Sequence, residues 1–213
     1  MFKQRIILFA PLFYGYWKHI KDALEKQGFE VSFVTYRMGK WGDTFNSLKS
    51  PLNQEKKYAD VIFERLKKLE GNWDYLIVIK GNYFTEKHLS YLKRQNPDIK
   101  TIMYQWDSIN NNDYTGLAFQ FHKVFTFDFK DAEDCGYNYL PLFYTNDINP
   151  INPGFFEDID LLLVGLYNKP RYEYLRRLEE LKKIVNVRTY IVVPPMLYLK
   201  KQLLNNELEI KQF

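Results

Sequence analysis

Cysteine is almost missing from this chain. Cys135 is the only one in 213 residues, so no intramolecular disulfide framework exists, which fits a reducing compartment. No histidine lies near it in sequence, and it reads as a small residue at a helix end rather than a nucleophile. Histidine is scarce too. His19, His88 and His122 fall on three separate segments without metal-ligand spacing, so each reads as a structural or surface residue and no metal site is expected. The ten glycines never form the Gly-x-Gly-x-x-Gly or P-loop arrangement, which argues against a dinucleotide dehydrogenase or a P-loop nucleotidase. Long apolar runs are absent. Leu161 to Leu166 is the longest and Ile6 to Ala10 the one nearest the start; a bilayer span takes about 20 residues, and the early run is short for a signal peptide.

Charge of one sign is scarce overall, at a net +4, but it is unevenly placed. Residues 169–213 hold ten Lys/Arg against five Asp/Glu, and residues 1–168 hold twenty against twenty-one. A basic tail of this kind meets a nucleotide diphosphate or an anionic membrane surface, or is simply a solvated helix face. No nucleic-acid motif accompanies it. Aromatics, by contrast, are plentiful at 18%. They suit stacking on sugar rings, and they equally suit the Lys-, Asn- and Tyr-heavy composition of an AT-rich genome.

What is present is an alternation of two periodicities. Arg5 to Ala10, Glu30 to Tyr36, Asp74 to Lys80, Ile99 to Trp106 and Lys123 to Phe127 are short apolar runs of strand length. Between them lie helical patterns. Trp17, Ile20 and Leu24 share one face before Gly28, and Tyr58, Ile62, Leu66 and Leu69 share another before Gly71-Asn72. Further helices start at Thr85, near Tyr114 and at Lys130. Residues 37–52, with Gly39, Gly42, Ser50 and Pro51, read as a loop, and Tyr139 to Leu142 as a last edge strand. Asn146 to Gly154 carries two prolines and reads as a linker. The pattern then restarts: a strand over Ile159 to Val164, a turn over Gly165 to Lys169, a helix from Pro170, a strand over Val187 to Val193 and a helix over Met196 to Leu204. The expected fold class is α/β, a doubly wound parallel sheet over residues 1–148. A linker at 149–156 and an incomplete second α/β domain over 157–213 follow.

Parallel sheets bind ligands beyond the carboxyl ends of their strands, and this rule selects the candidate residues. After the first strand come Tyr14, Gly15 and Tyr16, an aromatic loop that stacks on a sugar-like acceptor or packs on itself. After the third come Lys80, Gly81 and Asn82. Lys80 meets a phosphate or carboxylate in the crevice or lies along the surface. After the fourth comes Asp107, a candidate general base or a cap of the following loop. In the second segment Gly165, Lys169 and Arg171 stand at a strand-to-helix turn suited to a diphosphate.

Four of these segments appear in the same order in a known group: Tyr75-Leu-Ile-Val-Ile-Lys-Gly81, Lys100-Thr-Ile-Met-Tyr-Gln-Trp-Asp107, Lys123-Val-Phe-Thr-Phe-Asp128 and Tyr139-Leu-Pro-Leu142. The chain resembles bacterial GT-B glycosyltransferases of surface-polysaccharide biosynthesis, including the spore-maturation CgeB-like proteins, from about Ile6 to Val193. Asp158-Ile-Asp-Leu-Leu-Leu-Val-Gly165 with Arg171-Tyr172 resembles the opening of that family's second domain. The resemblance implies a Rossmann-like acceptor domain and a donor domain that is only begun by Phe213, the acidic donor motif being absent. It implies transfer from a nucleotide-sugar co-substrate to a capsular, lipopolysaccharide or lipid-linked glycan acceptor, with no metal or other cofactor. Asp107 would be the base, Tyr14 to Tyr16 and Lys80 to Asn82 the acceptor side, and Gly165, Lys169 and Arg171 the donor phosphate side. The implied location is cytoplasmic or peripheral on the inner membrane surface, with a second copy or partner chain covering the unfinished domain. The competing reading is a non-catalytic glycan- or partner-binding module. A receiver-like reading of Asp107 fails because Pro11-Leu12-Phe13 stands where a receiver needs acids.

Overall fold

Residues that are apolar on both sides of a strand need cover on both sides of a sheet, and the fold follows from that requirement. The computed structural model describes residues 3–144, 159–167, 172–174, 177 and 183–192. In its first unit β1 (Arg5–Phe9), β2 (Glu30–Val34), β3 (Tyr75–Ile79), β4 (Lys100–Gln105), β5 (Lys123–Thr126) and β6 (Asn138–Tyr139) form one sheet in the order β2-β1-β3-β4-β5-β6. Every pair is parallel, with Ile6 beside Val31 and Tyr75, Tyr75 beside Lys100, and Ile102 beside Lys123.

The helices take the two faces that alternation creates. On one face Ile6, Leu8 and Ala10 are buried with Trp17, Ile20 and Leu24 of α1 (Tyr16–Lys26). On the other, Ile7, Phe9, Leu76, Val78 and Met103 lie under Tyr58, Ile62 and Leu66 of α3 (Pro51–Lys67) and Leu89 and Leu92 of α4 (Glu86–Gln95). Two short helices, α5 (Thr115–Ala118) and α6 (Phe129–Cys135), flank β5 in sequence. The fold is therefore a doubly wound parallel α/β sheet. His88 has a structural role. Its Nδ1 accepts from the Thr85 amide at 2.8 Å, its Nε2 donates to the Ala59 carbonyl at 2.9 Å, and burial lowers its pKa.

The chain divides into two compact units, Met1–Asp147 and Ile148–Phe213. In the second, β7 (Leu161–Leu166) and β8 (Val187–Val192) pair in parallel, from Leu161 with Val187 to Leu166 with Val192. Residues 172–174 and 177 between them are helical, so this is a second βαβ unit. The expected linker and the expected helix over Met196 to Leu204 lie outside the described residues.

Two expectations are corrected in the first unit. Residues 37–52 are not all loop: Lys40–Ser47 form a helix, α2. Its Gly42 is a packing residue, because a Cβ there would sit 2.6 Å from Met38 Cβ. The edge strand expected over Tyr139 to Leu142 is only Asn138–Tyr139. Pro141 has no amide to donate, and the Tyr104 hydroxyl donates to the Pro141 carbonyl at 2.9 Å. Among the described residues no helix is long and apolar enough to cross a membrane.

Candidate functional site

Strand order reverses direction between β1 and β3, and parallel sheets bind ligands beyond the carboxyl ends of their strands at such a switch point. The loops that line it are bent hard. Tyr14 (φ 43°), Lys80 (φ 61°) and Tyr83 (φ 61°) are the non-glycine residues with left-handed backbone among the described residues, and all three follow β1 or β3. Left-handed backbone costs an ordinary side chain about 1 kcal/mol or more, and it concentrates where a site holds its geometry. Gly81 (φ 62°) continues the turn, so two successive left-handed residues throw the chain out of β3. The Lys80 amide still donates to the Tyr104 carbonyl at 3.0 Å, the last rung between β3 and β4.

That turn sets Lys80 against Asp107. Lys80 Nζ lies 2.7 Å from Asp107 Oδ2, with the lysine side chain 13% exposed and the aspartate 31%. The same ammonium sits 4.7 Å from the centre of the Phe13 ring, on the negative face of its quadrupole. The loops after β1, β3 and β4 thus meet on one cation. Of the two sequence readings of Lys80, the one in which its charge meets a carboxylate describes this contact, and the carboxylate is that of Asp107.

Aromatic rings form the wall. Tyr16 stands edge-on to Trp106 at 6.1 Å and to Phe143 at 6.0 Å, and Trp106 and Phe143 are 5.8 Å apart. Tyr14 reaches Tyr16 at 6.1 Å and is otherwise in solvent, 88% exposed. Tyr104 joins at 5.9 Å from Trp106, and burial raises the pKa of its hydroxyl. On the other face of the sheet, Tyr83 lies 4.8 Å from Tyr36 and 4.7 Å from Tyr58. Burial raises the Tyr36 and Tyr83 hydroxyls as well.

Beneath the turn the polar groups are unusual. Gln105 is fully buried, and neither atom of its amide has a hydrogen-bond partner among the described residues; the same is true of Asn82 Oδ1. A Cβ on Gly81 would lie 3.7 Å from Gln105 Nε2, so the amide lies directly under the strained turn. The loop after Asp107 is pinned from the far side. Asp131 Oδ2 accepts from the Ile109 amide at 2.8 Å and from the Tyr114 hydroxyl at 3.2 Å, and Asp128 caps α6 through the amides of Lys130 and Asp131.

The structure thus brings together Tyr14, Gly15, Tyr16, Lys80, Gly81, Asn82 and Asp107 at one mouth of the sheet. Gly15 (φ 79°) is the N-cap of α1, with no capping side chain. Sequence reasoning passed over Phe13, Tyr83, Gln105, Trp106 and Phe143. Phe13, Tyr83 and Trp106 adjoin residues it had chosen and could have been found by extending the strand-end rule by one position, whereas Gln105 lies one position further in, within β4. Phe143 carried no such signal. On the donor side Gly165 is not in a turn: it is the fifth residue of β7, registered with Ile191, because the ladder continues to Leu166. Lys169 and Arg171 lie outside the described residues. A groove of about 410 Å³ opens at the opposite, amino-terminal edge of the sheet, between Asn72, Tyr75, Asn96 and Lys100. It is away from both the switch point and the Lys80–Asp107 pair.

No protein-family model matches the chain, and no curated protein matches it. Among solved structures it is similar to the Streptomyces sp. SF2575 glycosyltransferase SsfS6, complexed with thymidine diphosphate. The similarity covers 91% of this chain and 69% of that one, at 14% identity and a TM-score of 0.43. A likeness of that size does not assign a function.

Proposed function

We propose that this chain is a glycosyltransferase of the GT-B type, whose first unit holds a glycan or lipid-linked acceptor of surface-polysaccharide synthesis. The observation that carries this reading is the Lys80–Asp107 pair at the switch point, walled by Phe13, Tyr16, Trp106 and Phe143. Aromatic faces bind the apolar faces of sugar rings, and a carboxylate at the crevice mouth is placed to meet a sugar hydroxyl. In an inverting transfer the acceptor oxygen forms a bond to the anomeric carbon. The bond from that carbon to the diphosphate breaks, and the electron pair leaves with the nucleoside diphosphate. Asp107 takes the hydroxyl proton, and Lys80 holds the carboxylate in position until then. In the second unit Lys169 and Arg171 are proposed to meet the departing diphosphate.

The test is calorimetric titration of the chain with uridine and thymidine diphosphates, followed by a transfer assay over nucleotide sugars. Asp107→Asn should lower kcat by a factor of about 10² or more while leaving diphosphate binding intact, as loss of a general base does. Absence of both nucleoside diphosphate binding and sugar transfer, in this chain and in a longer parent that contains it, would refute the proposal.

A second reading is favoured by one observation. Asp107 is already paired at 2.7 Å, which suits a rigid binding mouth as well as a base. A non-catalytic glycan-binding module would bind oligosaccharide saturably and turn nothing over, and measured sugar transfer removes it.

A further inference from the structure

Helix α2 (Lys40–Ser47) is inside out. Its polar residues Asp43 and Asn46 are buried, at 8% and 1% exposure, while its large apolar residues face solvent, Trp41 at 74% and Phe45 at 64%. Trp41, Phe45 and Leu48 are spaced i, i+4, i+7, which places them on one stripe, with Asp43 and Asn46 on the opposite side. The stripe continues past the helix end. Leu48 is 79% exposed and Leu52, in the first turn of α3, is 76% exposed.

The inward side explains why the helix holds this orientation. Asp43 Oδ2 lies 2.9 Å from Arg37 Nε, and Asp43 Oδ1 accepts from the Met38 amide at 3.2 Å. Asn46 Nδ2 donates to the Gln54 carbonyl at 3.2 Å, and Gln54 Nε2 donates to the Lys49 carbonyl at 2.6 Å, which ties the elbow between α2 and α3. Polar bonds therefore fix the helix, and its apolar stripe stabilises nothing within the first unit. Four large apolar side chains this exposed within residues 41–52 mark an interaction surface.

The charge around the stripe selects the partner. Lys40, Lys49, Lys56 and Lys57 are exposed around it, and across residues 40–57 the acidic residues are Glu55, exposed, and Asp43, buried and paired. Protruding Trp, Phe and Leu rimmed by lysine is the composition of an element that lies in the interface of an anionic bilayer, with its apolar side in the acyl boundary and its lysines on the phosphates. We propose that the α2–α3 elbow is a membrane-contact surface for anionic lipid, inserting Trp41, Phe45, Leu48 and Leu52. This stands on the elbow alone and holds whether or not the chain transfers sugar.

The test uses the full chain with phosphatidylcholine vesicles, with and without phosphatidylglycerol. Co-sedimentation only with the phosphatidylglycerol vesicles is expected, together with a blue shift of tryptophan emission that is missing in Trp41→Phe. The pair Trp41→Ser/Phe45→Ser should abolish sedimentation without lowering Tm, since both side chains are in solvent. Each Lys→Gln at positions 49, 56 and 57 should weaken binding about fivefold. Three results overturn the proposal: no sedimentation with anionic vesicles, equal binding to both vesicle types, or unchanged binding by Trp41→Ser/Phe45→Ser. A concentration-dependent dimer that the same substitutions dissociate, without vesicle binding, would make the elbow an interface between copies and also overturns it.

Discussion

The Lys80–Asp107 pair can be weighed by a double-mutant cycle of Lys80→Met, Asp107→Asn and the double variant. The 2.7 Å separation and the 13% and 31% side-chain exposures put it between a surface pair and a buried one. Exposed pairs couple by about 0–1 kcal/mol, while removing one partner of a fully buried pair costs about 3–5 kcal/mol. Partial screening at the crevice mouth sets the expectation at about 1–2 kcal/mol of coupling. Lys80→Met also loses the Phe13 ring beneath the ammonium, worth about 0.5–1 kcal/mol, but that loss occurs in both arms of the cycle and cancels. Urea unfolding followed by tryptophan emission is the assay. Trp17, Trp41, Trp73 and Trp106 are the tryptophans of the chain and all lie in the first unit, so the signal reports that unit alone. Adding molar salt should reduce the coupling only slightly, because the lysine is shielded. A coupling below about 0.3 kcal/mol, the usual scatter for independent sites, would refute the claim that the two loops are joined through this pair.

Three other outcomes are expected. Lys80→Gly should be more stable than Lys80→Ala by about 1 kcal/mol, since both lose the ion pair and only glycine relieves φ 61°; equal midpoints in urea would mean that the turn is not strained. First-unit stability should fall as pH drops below about 6.5, the unfolded histidine value, towards the lower pKa of buried His88. The sign follows because the unfolded chain takes the proton first, so stability is full above that window and declines down to the folded value; His88→Gln should lower stability and flatten this part of a Tm-against-pH curve. Asp131→Ala should cost about 2–3 kcal/mol by stranding the Ile109 amide and weakening the Tyr114 hydroxyl's bonding, and amide exchange at Ile109 should rise well above that of β4.

Strands were legible because burial on two faces leaves a continuous apolar run, as in Ile6-Ile7-Leu8-Phe9. The strand-end rule then pointed to Tyr14–Tyr16, Lys80–Asn82 and Asp107 without any knowledge of their contacts. What stayed hidden was how those residues meet. Lys80 and Asp107 are 27 positions apart, and either could have faced solvent; only the β3–β4 register and the left-handed backbone at Lys80 bring them to 2.7 Å. The buried Gln105 amide was hidden for a related reason. Its side chain takes the core-facing alternation of Thr101 and Met103, a place where sequence pattern expects an apolar residue. The Gly165 turn was misplaced by two residues because a strand end inside an apolar run has no polar mark.

Helix α2 shows a limit of a different kind. Gly39, Gly42, Ser50 and Pro51 argue for a loop over 37–52, yet Trp41, Phe45 and Leu48 already carry helical spacing. Even a correct helix assignment there would have put the wrong side inward, because periodicity reports that a helix has two faces and not which one the protein covers. The deciding information is in the short polar side chains. Asp43 answers Arg37 and the Met38 amide, and Asn46 answers the Gln54 carbonyl. These are bonds that water would otherwise supply at little cost, so they hold the helix with modest energy. The apolar stripe works against them in water at roughly 25 cal/mol per Å² exposed. A surface held outward against its own hydrophobicity is stable in this orientation only while its inward polar bonds last. Asn46→Ala should therefore loosen the elbow and raise self-association through the stripe, which sedimentation velocity would register.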